Sequence, residues 1–298
     1  MNTATDPAGL PGTLRSWLDQ AQSQHAAQAS AIATELTARA ASLPADADGA
    51  EAIRLAEHVW LAHAGGAAGL QTFVDAVPAS LSQDTSTAPS LQRARLALAW
   101  LAGQPVPALA DTVRWRVLQN VVLAMAAQGR NAEALALLQA DESAALAQGD
   151  SDAGKAFAAT ANNVAGHLQD SPRGDAARDT LMLQAAALAR RAWASAGGWM
   201  EVERADYRLA LCHAAAGQGA EAVEHARRCL AGCRAAGDQA DALEHFFAHE
   251  ALVRAHRAAG DAAAAGAAVQ RMQALLADIP EADGLHAWCA DVLSTLPA

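Results

Sequence analysis

Strand-forming side chains are scarce in this chain: Tyr207 is the only tyrosine, there are four phenylalanines, and runs of Val, Ile and Thr stay short. A sheet draws on β-branched and aromatic residues in alternation, so no sheet is expected. Lysine occurs once, at Lys155, and the net charge is −11. That balance argues against nonspecific binding of nucleic acid or an anionic bilayer, which both need an attractive positive surface. No apolar run reaches transmembrane length, because charged or amide residues interrupt every helical pattern. The first fifteen residues lack a basic cluster followed by an apolar run, so no secretory leader is expected. The four cysteines, Cys212, Cys229, Cys233 and Cys289, fall within helical patterns rather than in a disulfide framework. A reducing, cytoplasmic setting fits these absences.

What is present is helix-forming. Hydrophobic residues make up 52% of the chain, mostly Ala and Leu, which favour helices and let them approach closely. At 298 residues the chain also exceeds the size at which one core keeps growing, so two domains or a quasi-linear array is expected. Three recurrences favour the array: AMAAQGRNAEAL from Ala124, CHAAAGQGAEAV from Cys212 and AHRAAGDAAAAG from Ala255. Each carries Ala or Cys, a bulky residue (Met125, His213, His256), Gly four positions later and Ala five after that. Fixed spacing of this kind predicts stacked helical hairpins. The acidic excess is uneven, because between Arg173 and Arg271 twelve arginines balance twelve acids.

Residues 1–12 read as a disordered N-terminus. From Thr13 a long helix is expected, with Leu14, Leu18, Ala21, His25, Ile32 and Leu36 on one stripe, ended by Pro44. It caps the array or pairs with another chain. A degenerate hairpin follows over 51–64 and 67–77, and the segment from Ser82 to Ser90 reads as the best linker. Residues 13–107 thus form an N-terminal helical region, 108–280 the regular array and 281–298 a capping helix. Within the array, helices are expected over 108–128, 131–148, 152–169, 175–195, 199–216, 220–235, 239–259 and 261–277. Gly197 to Gly237 spans forty residues and Gly217 to Gly260 forty-three.

The apolar pairs Val121-Val122, Val164-Ala165, Leu209-Ala210 and Leu252-Val253, the turn glycines, and Ala134, Ala222 and Ala265 together resemble the tetratricopeptide repeat family over Val113 to Ala277. The repeats here are longer than that family's usual unit of about 34 residues. No proline ends the second helices, and His213 and His256 stand where large aromatics would. The resemblance implies an all-α, right-handed superhelical solenoid of antiparallel hairpins. Its first helices would line a concave groove whose residues just ahead of each apolar pair grip a peptide. Those positions are Gln119, Asn120, Asn162, Asn163, Tyr207, Arg208 and Glu250, with Arg116 and Arg204 one turn earlier and Arg254 and Arg257 one turn later. Asn offers a donor and an acceptor to a peptide bond, and Arg a bidentate fork to a carboxylate. The expected partner is a protein or peptide segment of acidic character, its main chain read by Asn120, Asn162 and Asn163. The alternative for these residues is ordinary solvation.

Two other patterns carry less. GDSDAGKA from Gly149 approaches a phosphate-binding loop, but Ala156 lacks the hydroxyl, Asp150 and Asp152 repel phosphate, and no strand precedes it. It reads as a turn that caps the next helix. His225, Cys229 and Cys233 recur at i, i+4 and i+8, with His245 and His249 on the next helix. Such donors hold Zn²⁺ or Cu⁺, yet core packing is the reading preferred for them. No nucleophile elbow, metalloprotease motif or separable basic recognition helix appears. The sequence therefore points to a non-catalytic, cytoplasmic binding scaffold with no cofactor. A metal- or redox-responsive protein built on the His/Cys cluster and the sensory module of a regulator stand as alternatives.

Overall fold

The computed structural model describes residues 13–64, 66–106 and 109–296. All of their regular structure is helical, with helices packed neighbour to neighbour. The expected disordered N-terminus, 1–12, lies outside the described residues. The chain divides into two compact units, Met1–Leu109 with Leu123–Gln128, and Ala110–Val122 with Gly129–Ala298.

In the first unit run α1 (Leu14–Gln24), α2 (Ala29–Arg39), α3 (Ala47–His58), α4 (Ala67–Ala76) and α5 (Ala88–Leu101). Leu18, Ile53, Leu61, Leu70, Phe73 and Leu91 are fully buried among them. The Thr13 hydroxyl caps α1 by accepting from the Ser16 amide. The single long first helix expected from Thr13 is in fact two. His25 Nδ1 folds back onto the Gln22 carbonyl at 2.7 Å, occupying an acceptor that a continuing helix would use, and α2 restarts at Ala29. After α3 the backbone widens into one π-turn, Val59–His63, closed by Ala64 N–H donating to the Val59 carbonyl at 2.8 Å. Gly69 is required there, because a Cβ would fall 2.3 Å from the Trp60 ring.

The segment from Ser82 is not an open linker. The Thr87 side chain is buried, its hydroxyl donating to the Leu81 carbonyl at 2.7 Å, while Asp84 accepts from the Ser86 and Thr87 amides. The polar residues that suggested a linker close a tight turn instead.

The second unit takes in α6 (Asp111–Ala127) up to Val122, then α7 (Asn131–Ala140), α8 (Glu142–Ala147), α9 (Asp152–Gln169) and α10 (Ala176–Ala196). It continues with α11 (Trp199–Ala215), α12 (Gly219–Ala236), α13 (Ala242–Ala258), α14 (Ala262–Leu276) and α15 (Leu285–Thr295). The helix expected over 131–148 breaks at Asp141. That carboxylate turns inward to accept from Trp115 Nε1 at 3.1 Å and Arg114 at 2.6 Å, and it ends buried. Ser151 caps α9 by accepting from the Gly154 amide, and Lys155 pairs with Asp150 at 2.6 Å. The phosphate-loop lookalike is thus a helix cap.

Helices α9 and α10, α11 and α12, and α13 and α14 form antiparallel hairpins, and α11 packs on both α9 and α13. First helices therefore lie side by side. Side-chain ties join them at nearly one repeat of separation: Thr160 to the Trp115 carbonyl, Asn163 to Gln119, Tyr207 to Glu250 and Arg204 to Glu244. Gly217 (φ 73°) and Gly260 (φ 76°) take the left-handed conformation that the inner turns need. At each of these turns a histidine clasps the residue five positions on, His213 Nδ1 to Gln218 Oε1 at 2.7 Å and His256 Nδ1 to Asp261 at 3.6 Å. These half-buried histidines seal the turns rather than filling a core slot. Cys229, Cys233, Phe246, Met272 and Cys289 form the floor of the core beneath α11, α13 and α15.

Candidate functional site

Because α11 packs on both α9 and α13, side chains of the three first helices meet beside one another. On α11 the positions ahead of the buried Leu209-Ala210 pair are Tyr207 and Arg208, with Arg204 one turn back. These three and Asn162 of α9 line a cleft of about 460 Å³, closed by Glu203, Leu243, Glu244, Phe247 and Trp288. Four of the eleven groove residues expected from sequence thus meet in one place.

The cleft has an aromatic wall. Trp288 of α15 is 51% exposed, with its ring centroid 4.8 Å from that of Phe247 on α13. Tyr207 stands edge-on to Phe247 at 6.1 Å. Below, the Tyr207 hydroxyl donates to Glu250 at 2.7 Å, and Arg254 donates to the other carboxylate oxygen at 2.7 Å. Burial, with Glu250 alongside, pushes the phenol well above its ordinary value, so the proton stays on Tyr207.

The polar rim is mixed. Arg204 reaches Glu244 at 3.3 Å. Arg208 lies over Gly166, where a Cβ would come 3.1 Å from its Cζ, and donates to the neutral Gln169 at 2.7 Å. Its Nε is buried and makes no hydrogen bond, and among the described residues no carboxylate pairs with this guanidinium. Glu203, 4% exposed, accepts from Cys229 Sγ at 2.7 Å and Cys233 Sγ at 3.5 Å. Burial pushes the Glu203 carboxyl up, against the lowering effect of the two thiols.

The remaining groove expectations divide. Asn120, 1% exposed, and Glu250, 3% exposed, are buried and present no surface to a partner. Each sits on the core side of its helix. Asn163 donates to Gln119 at 3.0 Å on the surface, and Arg116 is exposed. Arg254 is committed to Glu250, and Arg257 is half-buried away from the cleft lining. Sequence reasoning missed Phe247 and Trp288, although a tryptophan facing outward from a terminal helix is a signal in a chain poor in aromatics.

The His/Cys cluster does not converge. His225 turns to Asp206 at 3.1 Å and stacks flat on His213, with centroids 5.4 Å apart. The Cys229 thiol is pushed up by its hydrogen-bonded neighbour Cys233, by burial and by Glu203, and burial pushes Cys212 up to about 12. These are protonated core thiols. No described helix is long and apolar enough to cross a membrane. No family model, curated protein or solved structure matches this chain.

Proposed function

We propose that the second unit is a non-catalytic binding module, a tetratricopeptide-like array that takes an extended protein segment in the cleft between α9, α11, α13 and α15. The observation that carries this reading is the convergence of Asn162, Arg204, Tyr207 and Arg208 with an exposed Trp288 on one cleft of about 460 Å³. That volume suits one or two side chains of a peptide. Trp288, Phe247 and Tyr207 supply large, rigid apolar area, the type of surface that dominates binding energy at interfaces. Asn162 serves a peptide bond as donor and acceptor, and Arg208 serves a carboxylate beside the anchor. The preferred segment carries a bulky apolar residue next to an acidic one. In this reading the chain works as a cytoplasmic scaffold or adaptor.

The test is selection from a random displayed-peptide library on the full chain. Enriched peptides should share an apolar-acidic pair, and their affinity should fall at least about tenfold with Trp288→Ala and with Arg208→Gln. No enrichment above an unrelated helical control, or binding indifferent to both substitutions, overturns the reading.

A further inference from the structure

The first unit brings together three imidazoles that neither the repeats nor the cleft account for. His25 sits in the break between α1 and α2, His58 ends α3, and His63 ends the π-turn. Their ring centroids are 5.0, 5.2 and 5.1 Å apart, with interplanar angles of 63°, 74° and 81°. One nitrogen from each lies within 4.8 Å of the other two, and no fourth His, Cys, Asp or Glu joins the group among the described residues. All three rings are half-buried, so the cluster opens to solvent.

Two features of the backbone build this cluster. Residues five apart on an α-helix point about 140° away from each other, so His58 and His63 could not share a face if α3 continued regularly. The π-turn at Val59–His63 takes up the extra residue and returns His63 to the face of His58, with the two Nε2 atoms 3.3 Å apart. Single π-turns are rare and concentrate at functional sites. The break after α1 places the third ring. A carbonyl only accepts, so the 2.7 Å contact from His25 Nδ1 to the Gln22 oxygen puts the ring proton on Nδ1 and leaves the Nε2 lone pair for another partner. That is how metal-binding histidines are held elsewhere, with one ring nitrogen fixed by a carbonyl and the other turned to the ion.

The His58–His63 distance matches an ion, and the His25 nitrogen lies within 4.8 Å of both. With Zn–N bonds of about 2.0–2.1 Å, two ligands at the corners of a tetrahedron lie about 3.3 Å apart. That equals the separation of His58 Nε2 and His63 Nε2. We infer that His25, His58 and His63 form a three-imidazole site for one divalent transition metal ion, Zn²⁺ in the first instance, with the fourth position left to water or an external ligand. Neutral imidazoles suit Zn²⁺, Cu²⁺ and Ni²⁺ far better than Mg²⁺ or Ca²⁺. Three protein ligands and an open corner differ from a closed four-ligand structural site. Binding would tie the end of α1 to the π-turn and so hold the α1–α2 break in place.

The experiment uses the full, untagged chain, stripped with chelator and titrated with Zn²⁺ alone and with Co²⁺ alone. One equivalent of Zn²⁺ should bind with Kd at or below about 1 μM, and Co²⁺ should give the visible absorption of a four-coordinate nitrogen site. His63→Gln and His25→Ala should each weaken Zn²⁺ binding at least about tenfold while the far-ultraviolet dichroism stays helical, whereas His213→Ala should not. The Co²⁺ spectrum of the unsubstituted chain decides the case without relying on any variant. Less than about 0.1 ion per chain at 10 μM free Zn²⁺, or a six-coordinate Co²⁺ spectrum, overturns the assignment, as does binding unchanged by both His25→Ala and His63→Gln.

Discussion

Gly219→Ala and Gly266→Ala are the same chemical change in two helices of the second unit, and they should act with opposite sign. Gly266 lies inside α14, where an added Cβ meets nothing within 4 Å. Replacing Gly by Ala in an open helix interior removes an entropic cost of about 0.8–1 kcal/mol. Gly219 begins α12, and its Cβ would fall 2.5 Å from both Cα and N of Ala259 and 2.7 Å from C of Ala258. Those are backbone atoms at the end of α13, so no rotamer change relieves the clash. Either α12 or α13 must move, and with three backbone contacts this short the cost lies at the upper end of the overpacking range, about 2–3 kcal/mol. That outweighs the gain in helix propensity. For a unit of this size each kcal/mol shifts Tm by about 2–4 °C, so Gly266→Ala should raise Tm by about 2–4 °C and Gly219→Ala should lower it by at least a comparable amount. Urea denaturation with unchanged slope would assign both effects to native-state stability. A Gly219→Ala protein as stable as the parent would refute the claim that α12 and α13 meet backbone to backbone.

Tyr207→Phe keeps the ring and removes the hydroxyl that donates to Glu250, leaving one oxygen of a buried carboxylate without its partner. A loss of about 1–3 kcal/mol in urea denaturation is expected, and a loss below about 0.5 kcal/mol would mean that water reaches Glu250. Glu203 gives a pH signature. Its carboxyl is pushed up in the folded state by burial, so its contribution to stability is fully present below the ordinary Glu value of about 4.3 and is lost as the pH rises from there through the raised value. Glu203→Gln should therefore flatten the fall of the urea midpoint on the alkaline side of about pH 4.3, and identical profiles for both proteins would show that Glu203 ionises freely in the fold.

The helical hairpins were legible because their signals are local. Gly217 and Gly260 mark turns by a conformation that few other residues adopt, and the apolar pairs Val164-Ala165 and Leu209-Ala210 repeat with the helices. The helix start at Thr13 and the capping turn before α9 were legible for the same reason, and the Thr13 and Ser151 hydroxyls are the caps. What failed depended on contacts distant in sequence. Asp141 breaks a helix only because Trp115 and Arg114 wait across the core, and Thr87 is buried only because the Leu81 carbonyl faces it. In the cleft, Tyr207 and Arg208 were found by their place ahead of an apolar pair, but Glu250 by the same rule points inward to Tyr207. Tyr207 and Glu250 hold the same place ahead of their apolar pairs, and what separates them is the neighbouring helix, since Glu250 is drawn inward by the Tyr207 hydroxyl and Arg254. The three histidines left no trace at helical spacing, because a π-turn and a helix break bring them together.

The clasps at the inner turns bear on how such a chain changes length. His213 holds the residue five positions on, across Gly217, as His256 does across Gly260. Removing Gln218 through Gly260 would join Gly217 to Asp261 and set Asp261 five positions after His213, restoring the clasp that His256 makes now. Duplicating the same stretch would likewise rebuild a complete turn at the junction. Since the ties between first helices also span 40 to 45 residues, such an exchange would rejoin like contacts, and a hairpin could be gained or lost there without new turn chemistry.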